Sequence, residues 1–270
     1  MSGRFVGFAA PRHVESLDDC CFYHTVDLPG LGTVEGPWDL RGGVDDYLGH
    51  VDFQGVSVFE PGPASGFLTF EMEKRGALVT AYDLSEEQEW DVIPYAGRDA
   101  SIEKAEMRAQ MRRINNSFWL GHRLFDSRVR LVHGHVYEVP DDIGTFDVCL
   151  LGSILLHLRD PFLAMQKCLS HTAGTAIVTD MLPRSDLLPK SGLRRLVPAI
   201  LRQPSMGFAP DGETRRPTDT WWKLHPEIVA RMLGVLGFGN AEVTYHRQTY
   251  RGRRLRLFTV VAHRTGRGPA

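Results

Sequence analysis

Cysteine is scarce and unpatterned in this sequence. Four occur in 270 residues (Cys20, Cys21, Cys149 and Cys168), with no C-x-x-C spacing. Neither a disulfide framework nor a zinc site is readable from them, so no metal is expected. Long apolar runs are lacking too. The longest, "VCLLGSILLHL" (148–158), is well short of the ~20 residues that cross a bilayer, so no membrane association is expected. The start, "MSGRFVGFAAPRHVESLDD", has no basic segment followed by an apolar core, so no secretory signal is read and a cytoplasmic location is expected. Charge of one sign is not in excess: the net charge is −2, which gives no global pull toward nucleic acid or anionic lipid. Local basic stretches, "SGLRRLVPAILRQ" and "RGRRLRL", alternate with apolar residues and read as amphipathic surface elements.

What is present suits one large domain with ample core, 43% of residues being hydrophobic and 24% charged. Residues 1–52 are irregular and rich in Gly, Asp and aromatics. From "GVSVFE" (55–60) strand and helix patterns alternate. A helix over 64–77 is stopped by Gly76, and "LVTAYD" (78–83) is β-branched and apolar enough for a buried parallel strand. After a polar loop, Ser101 is placed to cap a long helix to about Phe125, with Ile102, Ala105, Ala109, Ile114 and Phe118 at helical spacing. Further strands are expected at 128–134, 146–152 and 173–182, with a Pro161-led helix between the last two. Such alternation predicts a doubly wound, mostly parallel α/β sheet.

The ending departs from simple alternation. A helix over 226–239 is followed by "AEVTYH" (241–246) and "RLRLFTVVAH" (254–263), too close together for a parallel crossover. The sheet is therefore expected to end in an antiparallel hairpin. Residues 183–222, proline-rich and aperiodic, read as a lid-like insertion over the carboxyl ends of the strands. The expected organisation is a cap segment at 1–52, a core domain at 53–264 and a tail at 265–270.

The informative stretch is the first strand–helix turn, Glu60-Pro61-Gly62-Pro63-Ala64-Ser65-Gly66. In open α/β sheets, ligands bind beyond the carboxyl ends of the strands at the switch point. Small residues at Gly62, Ala64 and Gly66 let a ligand approach the main chain. Asp83 closes the second strand, where an acid can accept from both hydroxyls of a ribose. The dinucleotide fingerprint wants glycine at the first, third and sixth positions, which here are Gly62, Ala64 and Phe67, so it fails at two of three. An acid such as Glu60 ending the first strand is foreign to that fingerprint and suits a ligand carrying an amine and a positive charge. A tight turn holding no ligand is the alternative.

These residues resemble the class I S-adenosylmethionine-dependent methyltransferases. The resemblance covers 53–264 and implies their seven-stranded Rossmann-like fold with S-adenosylmethionine as cofactor. It implies cofactor contacts at Glu60, Gly62, Pro63, Ala64 and Gly66 in the first motif and at Asp83 and Leu84 in the second. In "VHGHVYEVP" (132–140) it implies His135, Val136 and Tyr137, and in "FDVCLLGSILLHLRDP" (146–161) Gly152 and Ser153. Two departures stand out: Ala64 replaces a common glycine, and His135 replaces an acid that would hold the adenine amino group. More narrowly, "FYHTVDLPGLGTVEGPWDLRG" (22–42) and "GSILLHLRDP" (152–161) resemble the family containing the bacterial tRNA wobble-uridine carboxymethyltransferase and its small-molecule relatives. That resemblance implies an N-terminal segment capping the cofactor site.

The function expected is O- or N-methylation of a small-molecule acceptor. A tRNA-modifying methyl- or carboxymethyltransferase is the runner-up, disfavoured by the charge balance and the lack of an added RNA-binding module. A cofactor-binding partner protein without catalysis is a third alternative. His157, just past the fourth core strand, is the first candidate for a general base, with packing beside the cofactor or a bond to a backbone carbonyl as its alternative; His24 is the second. His225, before Pro226, reads as a helix cap. Trp221 and Trp222, at the end of the insertion, and Tyr23 and Trp38 in the cap are candidate acceptor-binding residues; packing of the insertion onto the sheet is the alternative for the tryptophan pair.

Overall fold

The computed structural model describes residues 7–183 and 204–265. In its N-terminal part, β1 (Val26–Leu28) and β2 (Gly32–Val34) form a small hairpin, followed by β3 (Trp38–Asp39) and a one-turn helix α1 (Val44–Tyr47). The core then runs β4 (Ser57–Pro61), α2 (Phe67–Lys74), β5 (Leu78–Asp83), α3 (Ala100–Leu124), β6 (Arg130–His133), β7 (Phe146–Gly152), α4 (Pro161–Leu169) and β8 (Thr172–Met181). A short pair, β9 (Met206–Phe208) and β10 (Trp222–Leu224), precedes α5 (Pro226–Val235) and the closing strands β11 (Phe238–Tyr250) and β12 (Arg253–Arg264).

The main sheet has the order β3-β11-β12-β8-β7-β4-β5-β6. Strands β4 to β8 are mutually parallel, and β12 runs antiparallel to both β8 and β11. This is the Rossmann-like methyltransferase fold with its terminal antiparallel hairpin, but with eight strands where seven were expected. The eighth comes from the N-terminal segment: Trp38 and Asp39 pair with Tyr250 and Thr249 at the free edge of β11. Two residues are too few to show a strand period, so only the tertiary pairing reveals it.

Alternation along the strands feeds two cores. Val58, Val148 and Leu150 pack on one face with Phe67, Phe70 and Phe118. Their neighbours Phe59, Cys149 and Leu151 pack on the other, with Met165, Leu233 and Phe258. A strand buried on both sides reads as a continuous apolar run, as the sequence does here.

Helix ends follow their capping chemistry, with one correction. Asp99, not Ser101, caps α3, its carboxylate accepting from Ser101 N. Asp160 caps α4 by accepting from Leu163 N, with Pro161 in the first turn. Such caps contribute about 1 kcal/mol each. His225 stands at the N-cap of α5 without a side-chain capping bond, and that helix ends at Val235, where a longer one was expected. The hairpin strands are correspondingly longer than their apolar cores suggested.

The N-terminal segment is tied across the sheet. Ala9 N donates to Leu131 O, Cys21 N to Arg113 O and to Ser117 Oγ, and Tyr23 N to Ser65 Oγ in the β4–α2 turn. Of the 183–222 insertion, residues 184–203 lie outside the described residues, as does most of the expected tail, 266–270. Among the described residues no helix is long and apolar enough to cross a membrane.

Candidate functional site

The carboxyl ends of β4, β5 and β7 open into one cavity of about 770 Å³. The chain leaves β4 in one direction for β5 and β6, then returns to β7 on the other side. This is the topological switch point, and the cavity is at the large end of the ~300–1,000 Å³ usual for ligand pockets.

Glu60, at the end of β4, lines the cavity and is 3% exposed. Burial pushes its pKa up to about 8, partly offset by Thr69 Oγ1, which donates to Glu60 Oε2 at 2.5 Å. Asp83 ends β5 and is partly open to the cavity. The surrounding protein pushes its pKa up to about 7, against the pull of Leu84 N–H, which donates to Oδ1 at 2.8 Å. Two acids with raised pKa values thus face one cavity from adjacent strands.

Between them the β4–α2 turn uses the left-handed region three times, at Gly62 (φ +74°), Ala64 (φ +50°) and Gly66 (φ +86°). Gly62, Pro63 and Ala64 line the cavity, but Gly66 does not. A Cβ on Gly66 would lie 2.6 Å from Phe70 and 2.9 Å from Phe118, so its glycine serves packing of α2 and α3. Ala64 adopts a conformation disfavoured for a non-glycine residue, a strain of the kind that clusters at functional sites. Ser153, after β7, repeats this at φ +52°, and it too lines the cavity.

The remaining candidates divide. Tyr23, His24, Trp38, Leu84, His135, Val136, Gly152, Ser153 and His157 all line the cavity. Tyr137, Trp221 and Trp222 do not. Tyr137 Oη instead donates to Asp91 Oδ2 and accepts from Asp160 N. Trp222 opens β10, and Trp221 stands just before it. Their indole N–H groups are engaged by backbone carbonyls, Trp221 Nε1 by Asp91 O at 2.7 Å and Trp222 Nε1 by Arg159 O at 3.1 Å.

The two histidine candidates differ in kind. His24 is 8% exposed, and burial pushes its pKa down to about 3, which makes it a poor proton acceptor near neutral pH. Its Nδ1 is buried without a partner among the described residues. His157, in the 3-10 turn Leu155–His157, has Nδ1 2.6 Å from Asp219 O. A carbonyl oxygen only accepts, so Nδ1 carries the proton and a neutral ring keeps its lone pair on Nε2.

Four groups escaped sequence reasoning. Tyr47 lines the cavity and shares a hydrogen bond with Ser153 Oγ at 2.9 Å. Thr69 acts from inside α2 on Glu60. Asp219, from the described part of the insertion, lines the cavity beside Arg216, Pro217 and Thr218. Asp180, near the end of β8, is 2% exposed, and burial pushes its pKa up to about 7. One of its oxygens accepts from Met181 N, and the other has no partner among the described residues. Asp180 alone carried a signal: like Asp83, it follows an apolar, β-branched run.

No protein-family model and no curated protein sequence matches the chain. Solved structures do. The N-terminal domain of EvdMO1, crystallised in the presence of SAH (S-adenosylhomocysteine) and D-fucose, is 16% identical and covers 92% of this chain and 93% of its own, with a TM-score of 0.52. Magnesium protoporphyrin IX methyltransferase from Synechocystis PCC 6803, with bound SAH, is 16% identical over 82% of this chain and 81% of its own, with a TM-score of 0.45. The 1,6-didemethyltoxoflavin-N1-methyltransferase of Burkholderia thailandensis, with 1,6-didemethyltoxoflavin and S-adenosylhomocysteine bound, is 15% identical over 84% and 78%, with a TM-score of 0.48. At these identities the likeness is one of fold. The narrower resemblance to the wobble-uridine carboxymethyltransferase family rests on the sequence segments alone.

Proposed function

We propose that this protein is an S-adenosylmethionine-dependent methyltransferase acting on the hydroxyl or amine of a small molecule. The observation that carries the reading is the pair of acids with raised pKa values, Glu60 and Asp83, facing one cavity across a turn with little side-chain bulk. A buried carboxylate without a cation is costly, and the shifted pKa values register that cost. A ligand bringing an ammonium group to Glu60 and ribose hydroxyls to Asp83 relieves both. The fold shared with the EvdMO1 domain, crystallised with SAH, supports the same reading.

In this reading Glu60 holds the amino-acid end of the cofactor, Gly62, Pro63 and Ala64 offer main chain beside it, and Asp83 grips the ribose. Leu84, Gly134, His135 and Val136 would flank the adenine. Tyr137 N donates to His135 Nδ1 at 3.4 Å, so His135 offers an Nε2–H donor where the resemblance expects an acid. Gly152 and Ser153 close the floor toward the reacting end. The N-terminal segment, through Tyr23, His24 and Trp38, and the segment around Asp219 form a roof that excludes water. His24, poorly basic, acts as a hydrogen-bonding group to the ligand.

When bound, the cofactor supplies an electrophilic methyl group on a sulfonium. The chain's main contribution is to hold the acceptor in line, worth ~7–11 kcal/mol in well-oriented systems. His157 takes the acceptor's proton on Nε2, adding about 10²–10⁴-fold. Titration calorimetry tests the reading: S-adenosylmethionine and S-adenosylhomocysteine should bind with micromolar affinity and NAD should not. Tight NAD binding without either sulfur ligand would overturn it.

A further inference from the structure

His157 does not hold its own tautomer; a strap does. Residues 217–222 run along the turn that carries His157 and are attached to it and to residues 91–95 at six points. Asp219 O accepts from His157 Nδ1 at 2.6 Å, and Trp221 N donates to Leu156 O at 2.8 Å. The Trp221 indole donates to Asp91 O at 2.7 Å and the Trp222 indole to Arg159 O at 3.1 Å. On the far side, Tyr95 Oη donates to Pro217 O at 2.8 Å and Ile93 N to Thr218 O at 3.2 Å.

Trp221 is the central fastening. It is 8% exposed, and the Arg159 guanidinium lies 5.1 Å from its ring centroid. The residue it grips, Asp91, is fixed in turn, because its carboxylate accepts from Tyr137 Oη and from Arg159 N. Tyr137, Asp91, Arg159 and Trp221 thus form one hydrogen-bonded clamp beside the cavity, ending two residues from the carbonyl that meets His157.

We infer that Trp221 is a positioning residue for the reaction: by fastening the strap it places the Asp219 carbonyl on His157 Nδ1, which leaves the Nε2 lone pair for the acceptor's proton. This rests on the methyltransferase reading for its purpose, though not for its geometry. It explains why two tryptophans adjoin a cavity they do not line. Without the carbonyl, a neutral imidazole is free to place its proton on Nε2, the tautomer that cannot act as base there.

The test is nitrogen-15 NMR of histidine-labelled protein at pH 8.5, where an ordinary imidazole is neutral, with His157 assigned by the H157Q variant. Wild type should show a protonated Nδ1 and a pyridine-like Nε2. Trp221→Phe keeps an aromatic ring, though a smaller one, and removes the indole donor, and should shift His157 toward a mixture of tautomers while S-adenosylhomocysteine affinity stays within about twofold. A wild-type His157 protonated on Nε2 overturns the inference without any variant, and so does an unchanged tautomer in Trp221→Phe. If S-adenosylhomocysteine fails to bind wild type while the tautomer result holds, the methyltransferase reading falls and the clamp geometry stands.

Discussion

Thr69 Oγ1 donates to Glu60 Oε2 at 2.5 Å, linking the acid at the end of β4 to the helix that follows it. Few neighbours relieve the cost of burying that carboxylate, and its pKa stays near 8. Thr69→Val should therefore weaken S-adenosylmethionine binding by about 1–3 kcal/mol, the cost of leaving a buried acceptor without its donor. Calorimetry of the folded variant measures it, and unchanged affinity would remove Thr69 from the site.

Proton linkage gives a second outcome. In the free protein Glu60 and Asp83 hold protons up to about pH 8 and 7 respectively. A ligand that needs both ionised must expel those protons below these values. Affinity should rise with pH through 6 and 7 and level off above about 8, with a slope of at most about one log unit per pH unit per group. Calorimetry at pH 6.5 in buffers of different ionisation enthalpy should show net proton release, reduced in Glu60→Gln. A heat independent of buffer contradicts the assignment.

Asp83→Ala should cost about 1.5–3 kcal/mol of cofactor affinity when measured above pH 8, the loss of a charge-assisted hydrogen bond. Equal affinity in the variant would mean that this acid does not touch the ribose.

The two glycines of the β4–α2 turn should separate by phenotype. Gly66→Ala places a Cβ against Phe70 and Phe118 at φ +86°. It should lower stability by about 1–3 kcal/mol in denaturant unfolding through overpacking, beyond the backbone strain. Gly62→Ala, at φ +74°, pushes on Ile154 Cδ1, the end of a flexible side chain that itself lines the cavity. Its larger effect should be on cofactor affinity. The reverse pattern would exchange the roles given to the two positions.

With an acceptor in hand, His157→Gln should slow methyl transfer by about 10²–10⁴-fold and leave S-adenosylhomocysteine affinity unchanged. Full activity from pH 6 to 9 would make His157 scaffold. A salt-dependent, tRNA-selective gel shift would favour the tRNA-modifying alternative over a small-molecule acceptor.

Whatever repeats within a few residues could be read from the sequence. Strand and helix periods located β4 to β8 and the closing hairpin, because each element declares its buried faces at spacings of two or of three to four. Glu60 and Asp83 were legible as acids ending apolar strands, a local pattern, and the fold places both on the wall of one cavity. Contacts between distant residues were not legible. Trp38 becomes an edge strand only because β11 offers an unpaired edge more than two hundred residues later. Gly66 serves packing because Phe118, from another helix, fills the space its missing Cβ leaves. The tautomer of His157 is set by a carbonyl sixty-two positions away, and Trp221 finds its partner one hundred and thirty positions back. Local patterns fix where a polar group stands along the chain. Which partner satisfies it is decided by packing, since a buried donor takes whatever acceptor the fold brings within about 3 Å.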